Sequence, residues 1–375
     1  MLHYHKRVDF RLGGVARAVA DMTAVLAREG LDVALATGGI DDPAGVWASR
    51  AGGGPELITV PPLGRGGRLS PEGARAMRRA VQSADVVHLH AVWSPSNLQA
   101  AAIARKLGVP YVITVHGMLG RWSMSSSRVK KQTFLAMGGS RYLRNAAAVH
   151  FACADERDQA ARYVRPSQAV VIPLALDLEP FRPATHRPRA EGAPHRVLFL
   201  SRLHRVKGVE HLIEGAAIAR DRVGPIELTI AGSGDDAYER EMRVLAERLG
   251  VPAVFTGFVD GGAKVGLYEH ADAFVLPSAH ENFGLAWAEA MASGVPTIVS
   301  RQVGPAAEIG ASGAGVVVER TPGSIADALA SVLGNESRRL AMGEKGRAWA
   351  LSFLDPGAVA GALRGVYEGL PVKNR

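Results

Sequence analysis

Cysteine occurs once in the 375 residues, at Cys153, so the chain can form no disulfide of its own. That fits a reducing compartment. No cluster of cysteine and histidine has the spacing of a zinc site. No Asp-x-Asp triplet is present either, so the usual carboxylate ligands for a metal-held diphosphate are missing and no metal is expected. No apolar run approaches the roughly 18 residues of a membrane span. The opening residues, MLHYHKRVDF, lack the apolar core of a secretory signal. Acidic residues are absent from Val86 to Ala154, a stretch that holds Arg105, Lys106, Arg121, Arg128, Lys130, Lys131, Arg141 and Arg144. The first 180 residues carry 22 basic against 14 acidic side chains, and the remainder carries 22 of each. The net charge of +8 therefore belongs to the first half. A face built from that stretch attracts phosphate or anionic headgroups. The same charges read equally well as an ordinary solvated surface.

What is present is globular: 47% hydrophobic and 21% charged residues, enough for two cores at about 100–200 residues per domain. Apolar strand-like runs alternate with helical patterns, the mark of an α/β chain with parallel sheets. The strand candidates are 31–37, 85–90, 111–117, 147–153 and 169–174, then 195–201, 226–232, 253–259, 273–279, 296–300 and 315–319. Residues 178–195 are rich in proline and charge and read as a linker. The expected architecture is two Rossmann-like, doubly wound parallel-sheet domains facing a cleft. Residues 1–180 form the first and 181–355 the second, with a terminal helix over about 356–375 returning to the first.

HENFGLAWAEAMASGVP, residues 280–296, places Glu281 and Glu289 eight positions apart. Spacing decides nothing, because Glu239 and Glu247, and Glu336 and Glu344, are also eight apart in amphipathic helical patterns. Context decides. Strand 273–279 runs through HENFG into a helix that Gly294 and Pro296 close, so Glu281 sits in a strand-to-helix loop at the carboxyl edge of a sheet. The N–H groups of Asn282, Phe283 and Gly284 are candidate donors to sugar hydroxyls or phosphate oxygens. A carboxylate at Glu289 accepts two hydrogen bonds from a vicinal diol such as ribose. Gly13 and Gly14 form a turn after the first strand that lets backbone approach a phosphate. The run GSGDDA, 232–237, satisfies G-x-G-x-x-A after a strand. It would follow the second strand of its lobe rather than the first, so it reads as a loop edging a ligand site.

Taken in order, these segments resemble the family 4 retaining glycosyltransferases of the GT-B fold. PSAHENFGLAWAEAMASGVPTIVS is similar to that family's two-glutamate signature. LGGVARAVADMTAVLAREG, VVHLHAVW, ITVHG, SRLHRVKGVEHLIEG, AGSGDD, FTGFV and VGPAAEIGASGAGVVVE match its other segments in sequence. The resemblance implies that Glu281 contacts the transferred sugar and Glu289 the donor ribose. It implies that Arg202 and Lys207 hold the donor diphosphate. His116 would lie near the sugar, and Gly13, Gly14, Gly232 and Phe258 would line the donor site. It also implies a UDP- or GDP-sugar as donor, a hexose moved to a glycan or polyprenyl-linked acceptor for cell-surface polysaccharide, and no obligatory metal or cofactor. Nucleic acid is not an expected partner. The location implied is cytoplasmic, or peripheral on the inner face of the membrane, where Arg121, Trp122, Lys130 and Lys131 would meet the bilayer or an acceptor diphosphate. Rival readings are a silent sugar-nucleotide or polyanion binder, and an epimerase or phosphorylase on the same fold. The chain departs from the family in a short polar first strand, in IPLALDLEPF at 172–181 where an Asn-Gly turn is common, and in Ala16 or Arg17 where an acidic residue is usual.

Overall fold

A computed structural model describes residues 1–10, 13–40, 54–61, 63–182, 190 and 192–371. The chain divides into two compact units, Met1–Asp177 with Leu354–Arg375, and Leu178–Phe353. Part of the expected linker, residues 183–189 and 191, lies outside the described residues.

The first unit holds a sheet of β1 (Leu2–Tyr4), β2 (Ala34–Thr37), β3 (Glu56–Thr59), β4 (Val87–His90), β5 (Tyr111–Thr114), β6 (Ala148–Phe151) and β7 (Ala169–Val171). All pair in parallel, in the order β3-β2-β1-β4-β5-β6-β7. The short polar first strand is thus central, flanked by β2 and β4, with all three residues buried. Alternation explains it. Leu2 and Tyr4 join the apolar core with Val87, Leu89, Tyr111, Ile113, Val149 and Phe151. His3 faces the other way. On β3, which carried no strand signal, Glu56, Leu57 and Thr59 are exposed, as suits an edge. The expected strand 169–174 stops at Val171 for the same reason: it too lies at an edge, half-wetted.

The face that His3 occupies is unusual for a doubly wound sheet, where both faces are ordinarily apolar. Register aligns His3 with His88, His90 with Thr114, and Thr114 with His150, so one side of four adjacent strands is polar and buried. The donors and acceptors form an ordered chain. His150 Nε2 lies 2.7 Å from the Ile172 carbonyl and must donate to it. Its Nδ1 then accepts from the Thr114 hydroxyl at 2.9 Å. Thr114, its proton used, accepts from His88 Nε2 at 2.6 Å. His88 Nδ1 accepts from the Tyr367 hydroxyl at 2.7 Å. Tyr367 belongs to the helix Pro356–Glu368, near the carboxyl end of the chain but part of this first unit. That helix also packs against the helix Gly14–Arg28.

The second unit holds β8 (His195–Leu200), β9 (Ile226–Ala231), β10 (Ala253–Gly257), β11 (Ala273–Leu276), β12 (Thr297–Ser300) and β13 (Gly315–Val318). They are parallel in the order β10-β9-β8-β11-β12-β13. At the amino edge, fully buried Asp272 takes a fork of bonds from Arg196 at 3.0 and 3.1 Å and pairs with a second cation, Arg339, at 3.3 Å. This ion cluster clamps β8 to β11 at their amino ends.

Candidate active site

The strand order reverses direction between β8 and β11: β9 and β10 lie on one side, β12 and β13 on the other. Helices leave to opposite sides at such a point, and a crevice remains at the carboxyl ends of the two strands. Two segments enter it, Ser201–Lys207 after β8 and Pro277–Gly284 after β11.

Backbone bonds fix these segments against each other. The Ala279 N–H donates to the Val206 carbonyl at 2.7 Å. The Ser300 hydroxyl donates to the Ser278 carbonyl at 2.6 Å. Glu281 donates its N–H to Gln302 at 3.1 Å and accepts from Gly304 at 2.9 Å. The result is an ion pair between the Lys207 ammonium and Glu281 Oε2. Both side chains are largely shielded, 10% and 19% exposed, so the pair is screened less than a surface one. Gly284, at φ 79°, passes so close that a Cβ there would lie 2.8 Å from the Glu281 side chain. Any other residue would displace the carboxylate.

Around this pair the other expected residues are distributed unevenly. Arg202 lies in the Ser201–Lys207 segment, is exposed, and has no ion-pair partner among the described residues. Gly232, at φ 127°, packs against the Ser201 carbonyl, where a Cβ would sit 1.9 Å away. Its N–H donates to the Gly257 carbonyl at 2.8 Å, which brings Phe258, 49% exposed, beside the same turn. The dinucleotide-like run is not free to hold a pyrophosphate. Asp235 caps its helix Asp236–Arg248, accepting from Ala237 and Tyr238 at 2.9 and 3.2 Å. A carboxylate already occupies the place an anion would take. Asn282 is half-buried and engaged within the protein. The Phe283 side chain is buried against Trp287, whose indole donates to the Phe283 carbonyl at 2.6 Å. The N–H groups of Phe283 and Gly284 have no acceptor among the described residues, and they precede the helix Leu285–Ala292.

Glu289 lies on that helix, 6% exposed, and is not partnered by Lys207. Its Oε1 accepts from the Lys264 ammonium at 2.7 Å and its Oε2 from the Tyr268 hydroxyl at 2.8 Å. Burial, then the Glu289 charge, pushes the Tyr268 phenol well above its usual range and keeps it a donor. Lys264 was not legible as a site residue. Its only signal is its place four residues before Tyr268 on the helix Gly261–His270. Each Glu289 oxygen retains one lone pair for a further hydrogen bond.

In the first unit, Gly13 precedes the helix Gly14–Arg28 at φ 118°. His116 follows β5 with φ 53°, a strained value for a non-glycine residue. Glu156, another residue missed in the sequence, pins that turn by accepting from the Gly117 N–H at 2.5 Å and from Ala152 at 2.7 Å. Burial holds the His116 imidazole down at about 3, so it is neutral at ordinary pH. Its Nε2 meets His90 Nδ1 at 3.2 Å, and His90 Nε2 meets His3 Nδ1 at 3.0 Å. His3, His88 and His90 have ring nitrogens within 4.8 Å of one another, a proximity that no sequence spacing announced. Their rings are stacked, at 10° for His88 and His90 and 23° for His3 and His90. Stacked rings do not aim their lone pairs at a common point, and His88 and His90 each use both nitrogens in hydrogen bonds. The trio suits hydrogen bonding better than metal ligation.

Comparison with known proteins bears on both units. A family model described as "Glycosyl transferase 4-like domain" matches residues 13–175, and one described as "Glycosyl transferases group 1" matches 183–349. A D-inositol 3-phosphate glycosyltransferase of Corynebacterium jeikeium is 34% identical over 54% of this chain and 52% of its own length. The chain thus spans about half of that relative. A GDP-mannose-dependent alpha-(1-6)-phosphatidylinositol monomannoside mannosyltransferase of Mycobacterium tuberculosis is 30% identical over 73% of each. The Anabaena protein HepE, solved with UDP and glucose, superposes with a TM-score of 0.77 over 98% of this chain and 99% of its own, at 16% identity. That likeness shows the fold, two parallel-sheet α/β domains of the GT-B kind. On the two family models and the mycobacterial relative together, the chain belongs to the group 1, 4-like family of glycosyltransferases.

Proposed function

We propose that this protein is a retaining glycosyltransferase that moves a hexose from a nucleoside diphosphate sugar to an acceptor hydroxyl. The observation that carries the reading is the Lys207–Glu281 pair at the carboxyl edge of the β8/β11 switch point. In the reaction the bond between the anomeric carbon and the phosphate oxygen breaks, and the pair of electrons leaves with the diphosphate. The acceptor oxygen bonds to the same face of that carbon, and its proton passes to the departing phosphate, so no protein base is needed. Arg202 and Lys207 are the fixed cations for the growing negative charge. Glu281 orients the sugar, and the Phe283 and Gly284 N–H groups supply donors. Glu289, held by Lys264 and Tyr268, accepts from the ribose diol. His116 donates a hydrogen bond to the sugar.

The acceptor is proposed to be a hydroxyl of a phosphorylated or lipid-linked polyol or glycan. The names of the relatives, an inositol 3-phosphate enzyme and a phosphatidylinositol mannoside enzyme, support that class. UDP- and GDP-hexoses are the donors to test, by thermal shift and then by release of nucleoside diphosphate with a polyol phosphate or lipid extract as acceptor. A raised melting temperature plus acceptor-dependent release is expected. A shift without release would favour a silent binder, and no shift with any nucleotide sugar would contradict the reading.

Contact with an anionic membrane is also proposed. No helix among the described residues is long and apolar enough to cross a membrane. The helices Arg121–Ser125 and Arg128–Phe134, with Leu135–Gly139 after them, expose Trp122, Val129 and Met137 beside Arg128 and Lys130. Lys131 does not belong to this face: its ammonium turns inward to the Ser123 carbonyl and lies over the Trp93 ring. Reversing Arg128 and Lys130 to Glu is expected to weaken binding to phosphatidylglycerol vesicles at least about tenfold, at ~1 kcal/mol per basic residue. Unchanged sedimentation with vesicles would remove the membrane from the account.

A further inference from the structure

We infer that His90, backed by His3, is a positioning residue that fixes His116 as the Nδ1–H tautomer, a neutral donor rather than an acceptor. The inference deepens the proposed function and rests on it only for the role of His116.

Burial holds His3 and His116 at about 3 and His90 well below its usual range, so all three rings are neutral and each has one N–H. His90 touches an imidazole at both nitrogens, 3.0 Å to His3 Nδ1 and 3.2 Å to His116 Nε2. It must therefore donate to one and accept from the other, and the three rings share a single direction. In one direction His116 donates to His90 and His90 to His3. His3 then carries its hydrogen on Nε2, which is buried and has no partner. In the other, His3 Nδ1–H donates to His90 and His90 Nδ1–H donates to His116 Nε2. His3 Nε2 is then a bare lone pair, and the N–H left without a protein acceptor is that of His116 Nδ1, which belongs to a half-buried residue and is not among the fully buried unpartnered atoms, so solvent or a ligand can accept from it. A buried donor left without an acceptor is the rarer condition, so the second direction holds. It leaves the hydrogen of His116 on Nδ1, a nitrogen with no partner among the described residues.

The neighbouring histidines do not compete for these atoms. His88 and His150 are committed to the Tyr367–Thr114–Ile172 chain, and His5 Nδ1 lies 2.7 Å from the Arg7 carbonyl. The backbone holds the two rings in place. Asn97 donates to the His90 and Ala91 carbonyls at 2.9 and 2.8 Å, Ala91 and His116 both have positive φ, and Glu156 pins Gly117. Strained residues so firmly held are a sign of function.

Two-bond proton–nitrogen spectra of the protein labelled at its histidine nitrogens read the tautomer directly, with the His116 signal assigned by its loss in His116→Ala. The wild type should show the Nδ1–H form. His90→Leu should shift His116 toward Nε2–H and lower kcat at least about tenfold with little change in donor KM. His90→Gln, whose amide both accepts and donates as His90 does, should restore the tautomer and most of kcat. An Nε2–H form of His116 in the wild type overturns the inference, whether or not the variants fold. So does His90→Leu with tautomer and kcat unchanged. Failure of the glycosyltransfer reading is separate: it would appear as full turnover in His116→Ala, or as no turnover in the wild type, with the tautomer unaffected.

Discussion

Lys207→Ala should lower donor turnover by about a hundredfold or more while leaving the protein folded. Removing one preorganised donor to a developing charge costs about 2.7–4 kcal/mol in transition-state stabilisation. The proposed function makes Lys207 such a donor, and its charge lies in a shielded crevice rather than in free solvent. The effect should fall on kcat more than on KM, because the diphosphate gains charge only as the sugar bond breaks. Glu281→Gln keeps the shape of the partner and removes its charge. It should reduce turnover too, and the double variant should lose less than the two single losses combined, because the residues touch. Release of nucleoside diphosphate, with circular dichroism to confirm folding, measures all three. A Lys207→Ala enzyme within about threefold of wild type would put the cation for the leaving group elsewhere.

Acid should unfold the first unit long before its carboxylates are neutralised. Burial is the largest cause that lowers His3 and His116 to about 3 and His5 and His150 to about 4, and it takes His88 and His90 well below the usual 6.5, with neighbouring histidines adding to it. These groups have depressed values in the folded state. Between pH 6.5 and about 4 the unfolded chain binds more protons than the folded one. Stability is therefore complete above pH 6.5 and is lost as pH falls through that window, by up to ~1.4 kcal/mol per pH unit for each histidine. Against a total of about 5–15 kcal/mol for a domain, several such groups suffice. In the second unit Asp272, held below its usual value by Arg196 and Arg339 against the cost of burial, contributes with the same sign but only below about pH 4, so that unit keeps its stability through the window in which the first loses it. Urea midpoints at pH 7, 6 and 5, followed by amide exchange of each unit, should fall steeply for the first. Equal midpoints at pH 7 and pH 5 would mean that the histidines are charged or wet in the folded state.

Much of the second unit could be read from the chain because its signals are local. Apolar runs marked each strand. The run from β11 through HENFG to a helix that ends at Gly294 set Glu281 at a sheet edge and separated it from Glu239 and Glu336, which lie on ordinary helices. Contacts between distant segments were not legible. Glu289 meets a lysine 25 residues earlier, and no pattern links the two helices. The histidine layer joins residues 3, 88, 90, 116 and 150, which come together only when parallel strands find their register. The polar composition of β1 read as weakness for that reason, although it is what a strand facing a buried polar layer requires. The acid-free stretch counted Lys131 as a surface charge, because sequence cannot show an ammonium folding back onto its own loop.

A crystal structure with a bound UDP- or GDP-hexose tests the central claim most directly. The account predicts the diphosphate within hydrogen-bond reach of Arg202 and Lys207, and a sugar hydroxyl on Glu281. A nucleotide sugar bound away from the β8/β11 crevice, with the Lys207–Glu281 pair untouched, would contradict it.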